Sequence, residues 1–214
     1  METTLYFIRH GESEGNAQRI WVGQGVDAPL TERGHEQARL TAEALRDIPF
    51  DALYASDLSR AMQTAAPIAA VTGLTVIPDK GLREIDGGEW QNKHYDDLVA
   101  QYGEAYRIWL TDIGRACPTG GESTAKLRER AHRTVLDIVR RHQGQTVGIV
   151  THATVLRALK CDWLGLPTEA MSAFSWVPNA SVSKVVYEDN TIRLVWDGNA
   201  DHLGDLFTAF AKNV

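Results

Sequence analysis

A strand of mostly apolar residues ends in Arg9, His10 and Gly11. A buried strand has no ordinary use for an arginine and a histidine at one tip. A second histidine, His152, follows the apolar run TVGIV (146–150) in the same way. Arg60 falls in the first turn or so of a helix expected after a short strand at 52–55. Helix N-termini carry free N–H groups and partial positive charge, and arginine adds a planar fork of donors, so this set fits a phosphate group. A histidine attacks phosphorus only when neutral, with its other ring nitrogen oriented by a hydrogen bond. Cationic donors spread the charge that develops on the equatorial oxygens, and a leaving alkoxide needs an acid. Glu84, in LREIDGGEW (82–90), is the candidate acid. The chemistry expected is phosphoryl transfer to an imidazole nitrogen.

These residues need a scaffold that brings strand ends together. Strands are predicted at 4–8, 52–55, 75–77 and 146–150. Thr31 is a plausible N-cap for a helix at 32–47, Ser56 or Asp57 for one to about 71 that Gly73 stops, and Ser123 for an amphipathic helix that Gly144 ends. A helix follows His152 to about 163, and 181–187 and 191–196 read as a hairpin across a polar turn, 188–190. Strand-helix alternation predicts a three-layer α/β/α sandwich with a mainly parallel central sheet. Ligands bind such sheets at the carboxyl ends of their strands. The middle, about 85–121, reads as a small helical, aromatic-rich insertion, with a helix at 95–110. Its Trp90, Tyr95, Tyr102, Tyr106 and Trp109 read as a small core rather than a substrate box. Trp21, Gly23 and Gln24, in the loop before Asp27, are candidate substrate contacts.

In order along the chain, RHGES (9–13) with Asn16, DAPLTERGHEQA (27–38), SDLSRAMQTA (56–65), LREIDGGEW and VTHATVLRAL (150–159) resemble the histidine phosphatase superfamily, the phosphoglycerate-mutase-like fold. The end of the chain, from 179 to 203, looks like the C-terminal hairpin of its broad-specificity phosphatase branch. The resemblance implies that His10 becomes phosphohistidine, and that Arg9, Arg60 and His152 hold the phosphoryl group. It implies that Glu84 protonates the leaving oxygen and then activates water, and that Asn16 is a further phosphate-side donor, unless it merely caps a turn. It implies no metal and no cofactor. Three positions depart from the pattern: Gly15 before the motif asparagine, Ala153 after the second histidine, and Asn92 where a glycine is usual. The last would touch the wall of the substrate pocket.

Composition narrows the classes further. The 214 residues suit one domain, 1–214. A net charge of −6 disfavours a nucleic-acid or anionic-membrane partner. Cys117 and Cys161 sit in no metal-ligand spacing and read as two buried thiols in a reducing compartment. No basic start with an apolar run marks a signal peptide, and no stretch approaches ~20 apolar residues, so a cytoplasmic enzyme is expected. His35, His94, His132, His142 and His202 read as structural or surface residues, with His132 and His142 solvated. The leading reading is a metal-independent phosphomonoesterase acting on a small phosphorylated metabolite. Three alternatives stay open: a phosphoglycerate mutase, a specific phosphatase for α-ribazole phosphate or a sugar phosphate, and a non-catalytic phosphate-binding protein on the same fold. A homodimer through an edge strand is allowed by the sequence.

Overall fold

Side chains alternate across β1 (Thr3–Arg9) and so set the layering. Leu5 and Phe7 enter one apolar cluster and Ile8 the other. The computed structural model describes residues 1–189 and 191–208. After β1 come α1 (Glu14–Ala17), α2 (Glu32–Leu45), β2 (Ala52–Ala55), α3 (Ser59–Thr72) and β3 (Val76–Pro78). Then follow α4 (Tyr95–Thr111), α5 (Thr124–Arg141), β4 (Thr146–Thr151), α6 (Ala153–Trp163), β5 (Val182–Glu188) and β6 (Thr191–Asn199). The sheet order is β3-β2-β4-β1-β5-β6. The first four of these strands run parallel, and β5 is antiparallel to both β1 and β6. Of the expected turn at 188–190, Asn190 lies outside the described residues.

On one face, α2 and α3 pack Ala42, Leu45, Ala61, Ala65 and Ile68 against Ile8, Leu53, Ala55 and Val150. On the other, α5 and α6 pack Leu127, Val135, Ile138, Val155 and Leu159 against Leu5, Phe7, Val147 and Ile149. This is the expected three-layer sandwich. Each fully buried Leu or Ile contributes roughly 1.5–3 kcal/mol. Trp90, Leu98, Tyr106, Trp109 and Ile113, from the aromatic middle of the chain, join the same cluster as α5 and α6. That segment therefore has no separate core. Its helix α4 is broken at Gly103, whose φ of +50° and ψ of −117° lie outside helical space and suit glycine alone.

Thr31 and Ser123 cap their helices as the sequence predicts, accepting the N–H groups of Gly34 at 3.0 Å and Lys126 at 3.3 Å. Gly73 ends α3 with φ +73°. The start of α3 differs from expectation. Neither Ser56 nor Asp57 is its cap; the cap is Asp27, distant in sequence. One Asp27 oxygen accepts the Ser59 N–H at 2.7 Å and the other the Ser59 hydroxyl at 2.6 Å. Asp57 is instead clamped by Arg83 at 2.6 Å through both oxygens.

Two smaller expectations are corrected. Cys117 is exposed and only Cys161 is buried. His142 is not solvated, since its ring bridges Tyr54 Oη at 2.9 Å and Gln145 Oε1 at 2.7 Å. His132 keeps a solvent-exposed side chain, as expected, and lies 3.2 Å from the Asp162 carboxylate on α6. Among the described residues no helix is long and apolar enough to cross a membrane.

Candidate active site

Neighbouring parallel strands β1, β4 and β2 finish side by side. Their ends deliver His10, His152 and the Ser56-to-Arg60 turn to one place, as the topology rule requires. The His10 backbone is bonded on both sides. Its N–H donates to Thr151 O at 3.0 Å, and its carbonyl accepts from Ala180 N–H at 3.1 Å and from Asn179 Nδ2 at 3.2 Å. Gly11 lets the backbone approach α2 closely. A Cβ on Gly11 would stand 2.5 Å from the Gly34 carbonyl oxygen.

His10 Nδ1 lies 2.7 Å from Gly11 O. A carbonyl only accepts, so Nδ1 carries the proton and Nε2 keeps its lone pair. His152 Nε2 lies 2.8 Å from Ser56 Oγ, and the two imidazole centroids are 5.1 Å apart. His152 is fully buried against His10, and the cleft wall is formed by others. Burial pushes both histidines well below the ordinary range, and the charge of Arg60 adds to the effect. Both rings are therefore neutral.

A stability prediction follows. In the unfolded chain each ring takes up a proton below about pH 6.5, whereas the folded protein resists it. The unfolded state then binds more protons, so stability falls as pH falls. Urea unfolding between about pH 6.5 and pH 5.5 should show a loss of about 1 kcal/mol for each histidine. His10→Asn should remove about half of that loss. An unchanged loss would mean that His10 takes up its proton in the folded protein too.

Arg9 and Arg60 are only 1% and 2% exposed. Burial lowers Arg9 to about 9 and Arg60 to about 10, and Glu84 opposes the fall in both cases. Both remain cations at neutral pH. Arg9 Nη1 donates to Val177 O at 2.6 Å and Arg60 Nη2 to Gly23 O at 2.9 Å. Arg60 Nη1 is buried with no hydrogen-bond partner among the described residues. Two buried guanidiniums beside one carboxylate leave an excess of positive charge, which a phosphate group offsets.

Glu84 sits at the start of α6, with Oε2 accepting Thr154 N–H at 3.2 Å and Oε1 accepting Ile85 N–H at 2.9 Å. Its backbone carbonyl is held by Gln24 Nε2 at 2.9 Å and Arg130 Nη2 at 3.3 Å. Gln24, expected to touch substrate, is thus a brace behind Glu84 and does not line the cleft. Arg130 also holds the Gly81 and Arg83 carbonyls and pairs with Glu122 at 2.8 Å.

An open cleft joins these groups. Arg9, His10, Asn16, Trp21, Gly23, Arg60 and Glu84, all predicted site residues, line it. Asn16 is both a cap and a wall residue. It forms a capping box with Ser13, and its Oδ1 accepts from Ser13 N–H and Asn179 Nδ2, both at 3.2 Å. That fixes the amide orientation and turns Nδ2 outward as a donor. The rest of the wall was only partly expected. Tyr95, Trp109 and Trp176 join Trp21, with Trp109 edge-on to Trp21 at 4.5 Å. Of the middle aromatics, Trp90 and Tyr106 are core while Tyr95 and Trp109 face the cleft. Helical spacing alone does not separate these roles. Asn92 is not on the wall. Its φ of +62° shows why glycine or asparagine stands there. No cluster of metal-ligating side chains exists among the described residues.

The family model of the histidine phosphatase superfamily (branch 1) matches residues 5–199 of the chain. Phosphoserine phosphatase 1 of Hydrogenobacter thermophilus is 32% identical over 210 residues, 98% of this chain and 99% of that protein. The probable phosphoglycerate mutase GpmB of an Enterobacter species is 36% identical over 189 residues, 87% of this chain and 86% of its own. Among solved structures, Bacillus stearothermophilus YhfR superposes with a TM-score of 0.90 at 31% identity, covering 94% of this chain and 99% of that one. The ordered motifs, the strand-end histidines and a match across nearly the whole chain agree, and the chain belongs to the histidine phosphatase superfamily, branch 1.

Proposed function

We propose that the protein is a phosphomonoester hydrolase that works through phosphohistidine on His10. The observation that carries this reading is the His10 ring itself. With Nδ1–H committed to the Gly11 carbonyl, Nε2 is a neutral nucleophile between two buried guanidiniums and a carboxylate. In the first step Nε2 attacks phosphorus and the bond to the ester oxygen breaks. Glu84 gives that oxygen its proton, and the alcohol leaves. Arg9, Arg60 and Asn16 hold the phosphoryl oxygens, while His152, expected to join them, packs behind the His10 ring. In the second step Glu84 takes a proton from water, the oxygen attacks phosphorus, the N–P bond breaks and inorganic phosphate leaves with His10 neutral again. Because the first step takes a proton from Glu84, a mildly acidic to neutral optimum is expected.

The leaving-group side of the cleft supports hydrolysis over mutase chemistry. A mutase must hold a second anionic group. Beyond Arg9 and Arg60 no cation is on the wall among the described residues. Its large side chains are Trp21, Val22, Ile85, Tyr95, Trp109 and Trp176, with Ser13, Gly23, Ala153 and Thr154 completing the wall. The aromatic segment at 85–121 acts as the cap over this side. Such a surface favours phosphomonoesters of uncharged, apolar or aromatic alcohols over phosphoserine or phosphoglycerate, whose charged groups would lie against indole rings without partners. We place the enzyme in the cytoplasm, acting on small metabolites.

Two measurements test this. Phosphate release from p-nitrophenyl phosphate should continue unchanged in excess EDTA; loss with EDTA and recovery with added metal would overturn the metal-free mechanism. Naphthyl phosphate should exceed phosphoserine and phosphoglycerate in kcat/KM by about tenfold or more. The reverse ranking would contradict the aromatic wall as the specificity surface.

A further inference from the structure

The match to the family ends at residue 199, yet the chain beyond it reaches the catalytic loop. After β6, Asp201–Leu206 forms a short 3₁₀ stretch against α2. Leu203 is buried there, and His202 Nε2 lies 3.0 Å from Thr41 Oγ1 and 3.2 Å from Ala180 O. The segment then delivers two groups, the Leu206 carbonyl and the Thr208 hydroxyl, to two buried amides. Gln37 Nε2 donates to Leu206 O at 2.8 Å and to Thr208 Oγ1 at 3.2 Å. Thr208 Oγ1 in turn donates to Asn179 Oδ1 at 3.3 Å.

Those amides hold the nucleophile's loop by its backbone. Gln37 Oε1 accepts the Glu12 N–H at 2.8 Å. Asn179 Nδ2 donates to the His10 carbonyl and to Asn16 Oδ1, each at 3.2 Å. An amide has one accepting end and one donating end. With the Thr208 proton on Asn179 Oδ1, Nδ2 must face His10 O. With Thr208 Oγ1 and Leu206 O on Gln37 Nε2, Oε1 must face Glu12 N–H. A flipped Asn179 would set two oxygens against each other at His10.

We propose that residues 206–208 are a strut that orients Asn179 and Gln37 and thereby positions the His10 loop for attack. Asn179, Gln37 and Thr208 are positioning residues; none of them lines the cleft. The proposal rests on His10 being the nucleophile.

The test compares Thr208→Val, Thr208→Ser and a chain ending at Phe207 with the wild type. The quantity read is the single-turnover rate of His10 phosphorylation by p-nitrophenyl phosphate, with KM and the thermal midpoint measured alongside. All rates are taken well below every midpoint. Thr208→Val keeps the shape and loses the hydroxyl. It should slow phosphorylation about tenfold, as a displacement of under an ångström at a nucleophile does, with KM changed less than about twofold. The shortened chain should behave alike, and Thr208→Ser should restore the wild-type rate. A Thr208→Val enzyme with a lowered midpoint but an unchanged phosphorylation rate would overturn the proposal, because the segment would then serve folding alone. If the shortened chain does not fold, the valine and serine variants still decide. Wild-type phosphorylation of His10 in the same assay keeps this outcome separate from a failure of the proposed function.

Discussion

His10→Ala is expected to abolish phosphate release from every substrate, with kcat/KM falling on the order of 10⁴-fold or more. The reason is geometric. The ring is the one neutral nucleophile placed between Arg9, Arg60 and Glu84, and its Nδ1–H is already committed to the Gly11 carbonyl. His152 does not replace it, since its Nε2 is bound to Ser56 and its ring is fully buried. The variant should fold, because the backbone bonds of residue 10 to Thr151, Asn179 and Ala180 need no side chain. It should still bind inorganic phosphate, since both guanidiniums remain. Steady-state kinetics and phosphate-dependent thermal stabilisation check the two halves of this result together. Loss of both turnover and phosphate binding would point to collapse of the site rather than removal of its nucleophile.

Glu84→Gln should separate the two chemical steps. Glutamine keeps an acceptor for the Thr154 N–H at the start of α6, so the local fold survives. Alkyl phosphates need a proton on the departing oxygen, and their turnover should fall about 10²–10⁴-fold. Nitrophenolate leaves without one, so p-nitrophenyl phosphate should still phosphorylate His10. Water then lacks its base, and phosphohistidine should accumulate behind a burst of nitrophenol followed by slow turnover. An equal loss on both substrates with no burst would assign Glu84 to holding α6 and the adjoining loop, not to proton transfer.

Much of this site is written locally. The run 4–8 ending in Arg9-His10-Gly11, the run 146–150 ending before His152, and the caps Thr31, Ser123 and Gly73 are short-range signals. Each depends on neighbours within a turn of helix or a few strand residues. What stays hidden is the set of partners that arrive from far along the chain. Asp27 caps α3 and Ser56 holds His152. Gln24 and Arg130 brace Glu84, and Asn179 holds the His10 carbonyl. All are ordinary polar residues whose roles exist only once the sheet is assembled. The aromatics show the same limit. Trp90 and Trp109 are both core-like by composition, but Trp109 meets Trp21 and Trp176 at the cleft wall, partners that arrive from far along the chain. Gly103 also mattered in a way periodicity did not reveal, because a regular apolar spacing continues across the break it makes in α4.

The most direct test is to trap the intermediate. Wild type and Glu84→Gln are mixed with p-nitrophenyl phosphate and quenched in alkali, where the N–P bond persists. They are then digested, and the phosphoryl group is located by mass spectrometry. The account predicts one phosphoryl group on the peptide that contains His10, more abundant in Glu84→Gln, and none in His10→Ala. Turnover with no phosphopeptide, or a phosphoryl group on any other residue, would contradict it.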